Sequence, residues 1–156
     1  MLRLIKPTVA HVAAIHALIA PHVRSERLLP RSPRQIAERL RDYTLAIEHG
    51  DVVGVASLSL VDTYLAEVGV LVANRSDIEG ELLIAILDEA QAMGVDRAFI
   101  LTDDPAPLEE RGFVRTTLNA LPEKRDRQCL RCSRAPRCRQ QALSIQLQGQ
   151  LALAAR

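Results

Sequence analysis

The apolar positions along the chain change their spacing several times, and each change marks an element. After Thr8, a good helix N-cap, Val12, Ile15 and Ile19 recur at helical spacing, and Pro21 is expected to end that first helix. In "SPRQIAERLRDY", Ser32 is placed as N-cap, Pro33 at the first helical position and Gln35 to complete a capping box. Ile36, Leu40 and Tyr43 then share one face. The next run, "YTLAIEHGDVVGVASLSL", holds two β-rich segments around His49, Gly50 and Asp51 and predicts a hairpin. "YLAEVGVLV", Tyr64 to Val72, is apolar enough for a strand covered on both sides.

Helical spacing returns from Ile78 to Met93, where Leu82, Leu83, Ile86, Leu87 and Ala90 line one face and Gly94 is placed at the C-terminal cap. "RAFILT" predicts another buried strand, "PAPLEERG" a short helix closed by Gly112, and "FVRT" and "ALSIQL" the last two strands. The order β, α, α, β, β, β, α, β, α, β, β describes a mixed α/β sheet with helices on both faces. No repeat or low-complexity linker interrupts it. One domain over residues 1–148 is expected, with a frayed tail at 149–156.

Composition narrows the class. Of 156 residues 48% are hydrophobic and 25% charged, which suits a globular protein, and no apolar run approaches the ~18 residues of a membrane span. The N-terminal "MLRLIKPTVAHV" has no apolar run followed by a small-residue cleavage site, so a cytoplasmic protein is expected. The net charge of +1 hides an asymmetry: from Arg111 to Arg139 there are nine basic residues and two acids, and the remainder of the chain is acidic. A basic segment attracts anions, but its one aromatic residue, Phe113, gives nucleic-acid bases little to stack on, so a solvated basic face is the preferred reading.

Within that segment, Cys129, Cys132 and Cys138 form a CxxC pair with a third thiol beyond it. Three thiolates and one outside ligand would suit zinc; buried free cysteines are the alternative, and a cytosolic disulfide is the least favoured. The four histidines make no metal spacing and no triad.

The strings "IKPTVAHVAAI", "RLLPRS", "YLAEVGVLV", "ERGFV" and "LPEK" resemble those of the GNAT acyltransferases, and within them the small stand-alone N-acetylglutamate synthases. "CLRCSRAPRC" is similar to the cysteine-bearing tail of some of these synthases. The resemblance covers roughly the chain from Met1 to Leu147 and implies a GNAT-like, mostly antiparallel sheet. It also implies acetyl transfer from acetyl-CoA to the amine of glutamate or a similar small amino acid, as in arginine biosynthesis. A homodimer is compatible with it, and no membrane partner is implied.

By the same resemblance, backbone N–H groups of Val70 and Leu71 face the thioester, and Glu67 takes the amine proton through water. An exposed strand glutamate is the plainer account of Glu67. Arg31, inside "LLPRS", and Arg27, with Arg24 nearby, are the candidates to hold the acceptor's carboxylates, since a guanidinium fork fixes both charge and orientation. Simple solvation of the loop is the alternative.

One motif departs from the family. The GNAT diphosphate cradle runs Gln or Arg, two residues, Gly, one residue, Gly or Ala, so that backbone N–H groups converge on phosphate at a helix N-terminus. Here "RSDIEG" keeps Arg75 and Gly80 at its ends but puts Ile78 at the middle glycine, with Asp77 and Glu79 beside it and Glu81 just beyond. A carboxylate ~5 Å from a phosphate charge lowers affinity roughly a hundredfold before screening. The acids are either helix caps or the mark of a decayed cradle. The decayed cradle gives a second function: a catalytically inactive GNAT-fold regulatory or interaction module that binds CoA poorly. The tyrosine that many GNAT enzymes use to reprotonate the thiolate is also missing from "DDPAPLEERGF".

Overall fold

The computed structural model describes residues 1–147; residue 148 and the tail expected at 149–156 lie outside them. The elements follow in the order β1 (Arg3–Ile5), α1 (Val12–Arg24), α2 (Pro33–Glu38), β2 (Tyr43–Glu48), β3 (Asp51–Asp62), β4 (Leu65–Ala73), α3 (Ser76–Ala92), β5 (Arg97–Thr102), α4 (Ala106–Glu109), β6 (Val114–Thr116), α5 (Pro122–Arg127) and β7 (Gln141–Gln146). This is the predicted order with one addition, α5. The strands form one seven-stranded sheet in the order β1-β2-β3-β4-β5-β7-β6, and the pairs β1/β2, β2/β3, β5/β7 and β6/β7 are antiparallel.

The chain divides into two compact units. The first comprises Met1–Ser59 and Val68–Glu89. Its strand β2 is buried at five successive positions, Tyr43 to Ile47. Successive side chains point to opposite faces, so both faces of β2 are covered. On one face, Leu45 and its cross-strand partner Val55 join Tyr43, Ile47, Val70 and Val72 under Ile15, Ile19 and Ile36 of α1 and α2. On the other, Ala46 faces Gly54, and α3 sits on that glycine: a Cβ there would meet Leu82 Cδ1 at 2.8 Å and Ile78 Cγ2 at 3.1 Å. Small residues at this spot let the helix approach the sheet.

Local chemistry explains the boundaries. The Ser32 hydroxyl accepts the Gln35 N–H at 3.1 Å and the Gln35 carboxamide oxygen accepts the Ser32 N–H at 2.9 Å, the predicted capping box. The predicted hairpin turns at His49 and Gly50, both at positive φ, between the paired residues Glu48 and Asp51. Pro21 does not end α1, as was expected. It lies inside the helix, which continues to Arg24 and closes when the Ser25 N–H reaches the Pro21 carbonyl and Glu26 turns left-handed. A proline this near the C-terminal end forfeits one backbone bond, and a buried Ile15/Ile19 face holds the helix regardless.

The second unit comprises Leu60–Glu67 and the chain from Ala90 onward. Leu65, Phe99, Leu121 and Ala142 form its core cluster. The added helix α5 is tied to the strand ends by Arg127, which donates to the Val61 carbonyl at 3.0 Å, and by a hydrogen bond from the Tyr64 hydroxyl to Glu123.

Candidate active site

The first unit places Arg31, Tyr43, Ser57, Gly69 and Val70 together. Arg31 follows Pro30 and immediately precedes the Ser32 cap, so the start of α2 fixes its backbone. Its guanidinium lies over β4: a Cβ built on Gly69 would stand 3.7 Å from Arg31 Nη2 and 2.9 Å from Ser57 Oγ. Only a glycine leaves room there. Ser57 Oγ in turn accepts the N–H of Val70 at 2.9 Å, in a buried position. Arg31 Nη1 is buried and has no hydrogen-bond partner. The Tyr43 phenol beside it is pushed up by burial, against the pull of the Arg31 charge.

Each predicted residue can now be located. Arg31 is in this cluster, while Arg24, at the end of α1, and Arg27, in the loop after it, are exposed. Val70, expected to offer its N–H to a thioester, donates it to Ser57; Leu71, the next residue, is half-buried. Glu67 belongs to the second unit, where Lys124 Nζ of α5 donates to its Oε1 at 2.8 Å. The pair is largely enclosed, with side-chain exposures of 9% for Lys124 and 15% for Glu67. Lys124 also donates to the Gln128 carboxamide oxygen.

Ser57, Tyr43 and Lys124 were not predicted. A faint signal for Ser57 exists: a serine inside the apolar run "VASLSL" must find a partner when buried.

The three cysteines lie along two short turns after α5, Cys129 and Cys132 half-buried and Cys138 exposed, all as free thiols. Burial pushes the Cys129 thiol up, partly opposed by the Lys124 charge. Among the described residues no group of three or more Cys, His, Asp or Glu side chains is arranged to hold a metal, so the zinc expectation finds no support.

The strand-to-helix junction tests the cradle. Only Asn74 and Arg75 link β4 to α3. The Glu79 N–H bonds the Arg75 carbonyl, which makes Arg75 the helix N-cap and leaves the N–H groups of Ser76, Asp77 and Ile78 outside the helical ladder. The Asp77 carboxylate lies in this first turn, where a negative charge is favoured by the helix N-terminus. Arg75 is forked onto Glu48, at 2.8 and 3.2 Å, and onto Asp77, at 3.1 and 3.4 Å. These bonds hold both carboxyls below the usual carboxylate range. Glu48 and Asp77 are thus counter-ions of Arg75.

Ile78 is 0% exposed and turned into the core against Gly54, so it does not project into the junction. Gly80 lies buried in the second turn of α3, where helical geometry commits its N–H to Ser76. The residues present do not fit a diphosphate at this junction: the Arg75 guanidinium is taken, and the carboxylates of Glu48 and Asp77 face any incoming anion.

The fold is that of the GNAT N-acetyltransferases. The N-acetylglutamate synthase of Neisseria gonorrhoeae, crystallised with coenzyme A and N-acetyl-glutamate, superposes with a TM-score of 0.83 at 23% identity, over 96% of this chain and 36% of that one. In sequence the chain is 29% identical over 124 residues to an amino-acid acetyltransferase of Pasteurella multocida, covering 76% of this chain. It is 28% identical over 136 residues to an uncharacterised N-acetyltransferase of Chlorobaculum tepidum, covering 83% of this chain and 86% of that one. No protein-family profile matches the chain. It spans only 28% of the length of the Pasteurella relative. The resemblance read from the strings therefore holds in both fold and sequence. Among the described residues no helix is long and apolar enough to cross a membrane.

Proposed function

We propose that the chain is an N-acetyltransferase that moves an acetyl group from an acetyl thioester, as acetyl-CoA, to the amine of glutamate or a similar small amino acid. The similarity to amino-acid acetyltransferases and to an N-acetylglutamate synthase supports this reading, which would give it a place in arginine biosynthesis. The observation that carries it is Arg31 Nη1, a buried guanidinium nitrogen with no partner. A buried charged donor left unbonded is costly, and a carboxylate is the group whose geometry satisfies it. The acceptor's carboxylate would dock on Arg31, which puts its amine near the Gly69 to Leu71 stretch of β4.

The amine must lose a proton before it attacks. Glu67 is our candidate to take it through water. Lys124 occupies Oε1, which leaves Oε2 as the atom that receives the proton. With the Val70 N–H held by Ser57, Leu71 is the candidate for the thioester carbonyl.

A second reading, a GNAT-fold interaction module without catalysis, is favoured by the filled junction at Arg75 and Asp77. Incubation with acetyl-CoA and a panel of amino acids, followed by free-thiol release, separates the two. Thiol release that depends on glutamate or a close relative supports the enzyme. Release with none of the amines supports the module.

A further inference from the structure

The filled junction bears on the donor rather than the acceptor. We infer that this chain recognises its acyl donor through the thioester and its amide-bearing arm and not through a diphosphate, so that acyl-pantetheine thioesters without phosphate are donors as good as acyl-CoA. This rests on the acyltransferase reading above and goes beyond it by naming what the donor must carry.

Three observations support it. First, the cation at the start of α3 is already used: the Arg75 guanidinium is forked onto Glu48 and Asp77, and the Asp77 carboxylate sits in the first helical turn. A diphosphate would have to displace a carboxylate tethered to the helix itself, whose effective concentration no free ligand matches. Displacement would also leave Glu48 and Asp77 facing the incoming negative charge.

Second, the junction cannot be lengthened to present new donors. Its linker is Asn74 and Arg75 alone, and the first turn of α3 is fixed by Ile78, fully buried against Gly54. Unwinding that turn would pull Ile78 out of the core. Third, Gly80, the residue that would have supplied a bare backbone, is buried in the second helical turn.

What remains for the donor is uncharged recognition. A pantetheine arm carries two amides, which pair with backbone groups as an added strand does. Such pairing is indifferent to whether phosphate follows.

The test is calorimetry on the full chain with two probes, acetyl-CoA and S-acetylpantetheine, for the wild type and for the double variant E48Q/D77N. Both substitutions remove charge with little change of shape, and the buried face of Ile78, Leu82 and Ile86 holds α3 in place. The inference expects the wild type to bind the two probes within about threefold of each other. It expects the variant to gain about tenfold for acetyl-CoA and nothing for S-acetylpantetheine, since freeing the junction helps only a ligand with phosphate. Wild-type affinity for acetyl-CoA more than about thirtyfold above that for S-acetylpantetheine overturns the inference and leaves the acetyltransferase reading standing. If neither probe binds either folded protein, the acetyltransferase reading falls and takes the inference with it.

Discussion

Ser57 Oγ accepts the backbone N–H of Val70 at 2.9 Å, and Gly69 between them leaves the space that makes the contact. A side chain on β3 thereby fixes the backbone of β4 at the residue expected to face the chemistry. Ser57→Ala removes the acceptor from a buried amide and is expected to cost about 1–3 kcal/mol in urea denaturation. Gly69→Ala places a methyl within 2.9 Å of that hydroxyl and should be at least as damaging. A Ser57→Ala protein as stable as the wild type would mean that the Val70 amide finds another partner.

Ile78 gives a second prediction. If it obstructed a phosphate site, Ile78→Gly would open that site; buried against Gly54, it should instead leave a cavity costing about 2–5 kcal/mol. Ile78→Val should cost about 0.5–1.5 kcal/mol. The check is the denaturation midpoint of both variants, and a stable Ile78→Gly protein would place the side chain outside the core.

The Glu67–Lys124 pair is enclosed enough for each partner to depend on the other. Lys124→Met should destabilise by about 3–5 kcal/mol because it strands a carboxylate, and adding Glu67→Gln should recover most of that loss. A double-mutant cycle measures the coupling. Additive losses would show that Lys124 acts through packing alone.

Around Arg75 the sign of the pH dependence is fixed. Arg75 holds the Glu48 and Asp77 carboxyls below their usual range through direct hydrogen bonds. A depressed carboxyl contributes stability that is present above its unfolded value, near pH ~4, and lost as pH falls through the folded value. Thermal melts of wild type and Arg75→Met should therefore differ by a small, salt-sensitive amount above about pH 5, and the gap should close below about pH 3. A gap that opens only above pH 6 would show that neither carboxylate is the group coupled to Arg75.

The predictable parts of the fold were those fixed by local chemistry. Ser32, Pro33 and Gln35 announce α2, and His49 and Gly50 announce the hairpin, because caps and turns are set within four residues. What the sequence hid was set by distant partners. Pro21 reads as a stop until the buried Ile15/Ile19 face is seen to outweigh one lost backbone bond. The helix α5 is short and polar, and Tyr64, Val61 and Glu67, far back in the chain, secure it. The site divides the same way: Arg31 and Lys124 both stood in recognisable strings, "RLLPRS" and "LPEK", but Lys124 gains its meaning only from Glu67, and Ser57 only from Val70. The acids of "RSDIEG" were legible as charges at a helix N-terminus, but the fork of Arg75 onto Glu48 joins residues 27 positions apart.

The central claim is that Arg31 holds the acceptor's carboxylate, and steady-state kinetics of Arg31→Ala with varied glutamate tests it most directly. Loss of a charge-assisted fork predicts a glutamate KM raised by about 10- to 100-fold, with donor affinity changed less than about twofold. Since Nη1 has no partner to lose, the melting temperature should not fall. An unchanged glutamate KM, or equal losses for donor and acceptor together with a lower melting temperature, would contradict the account and make Arg31 a residue of the fold.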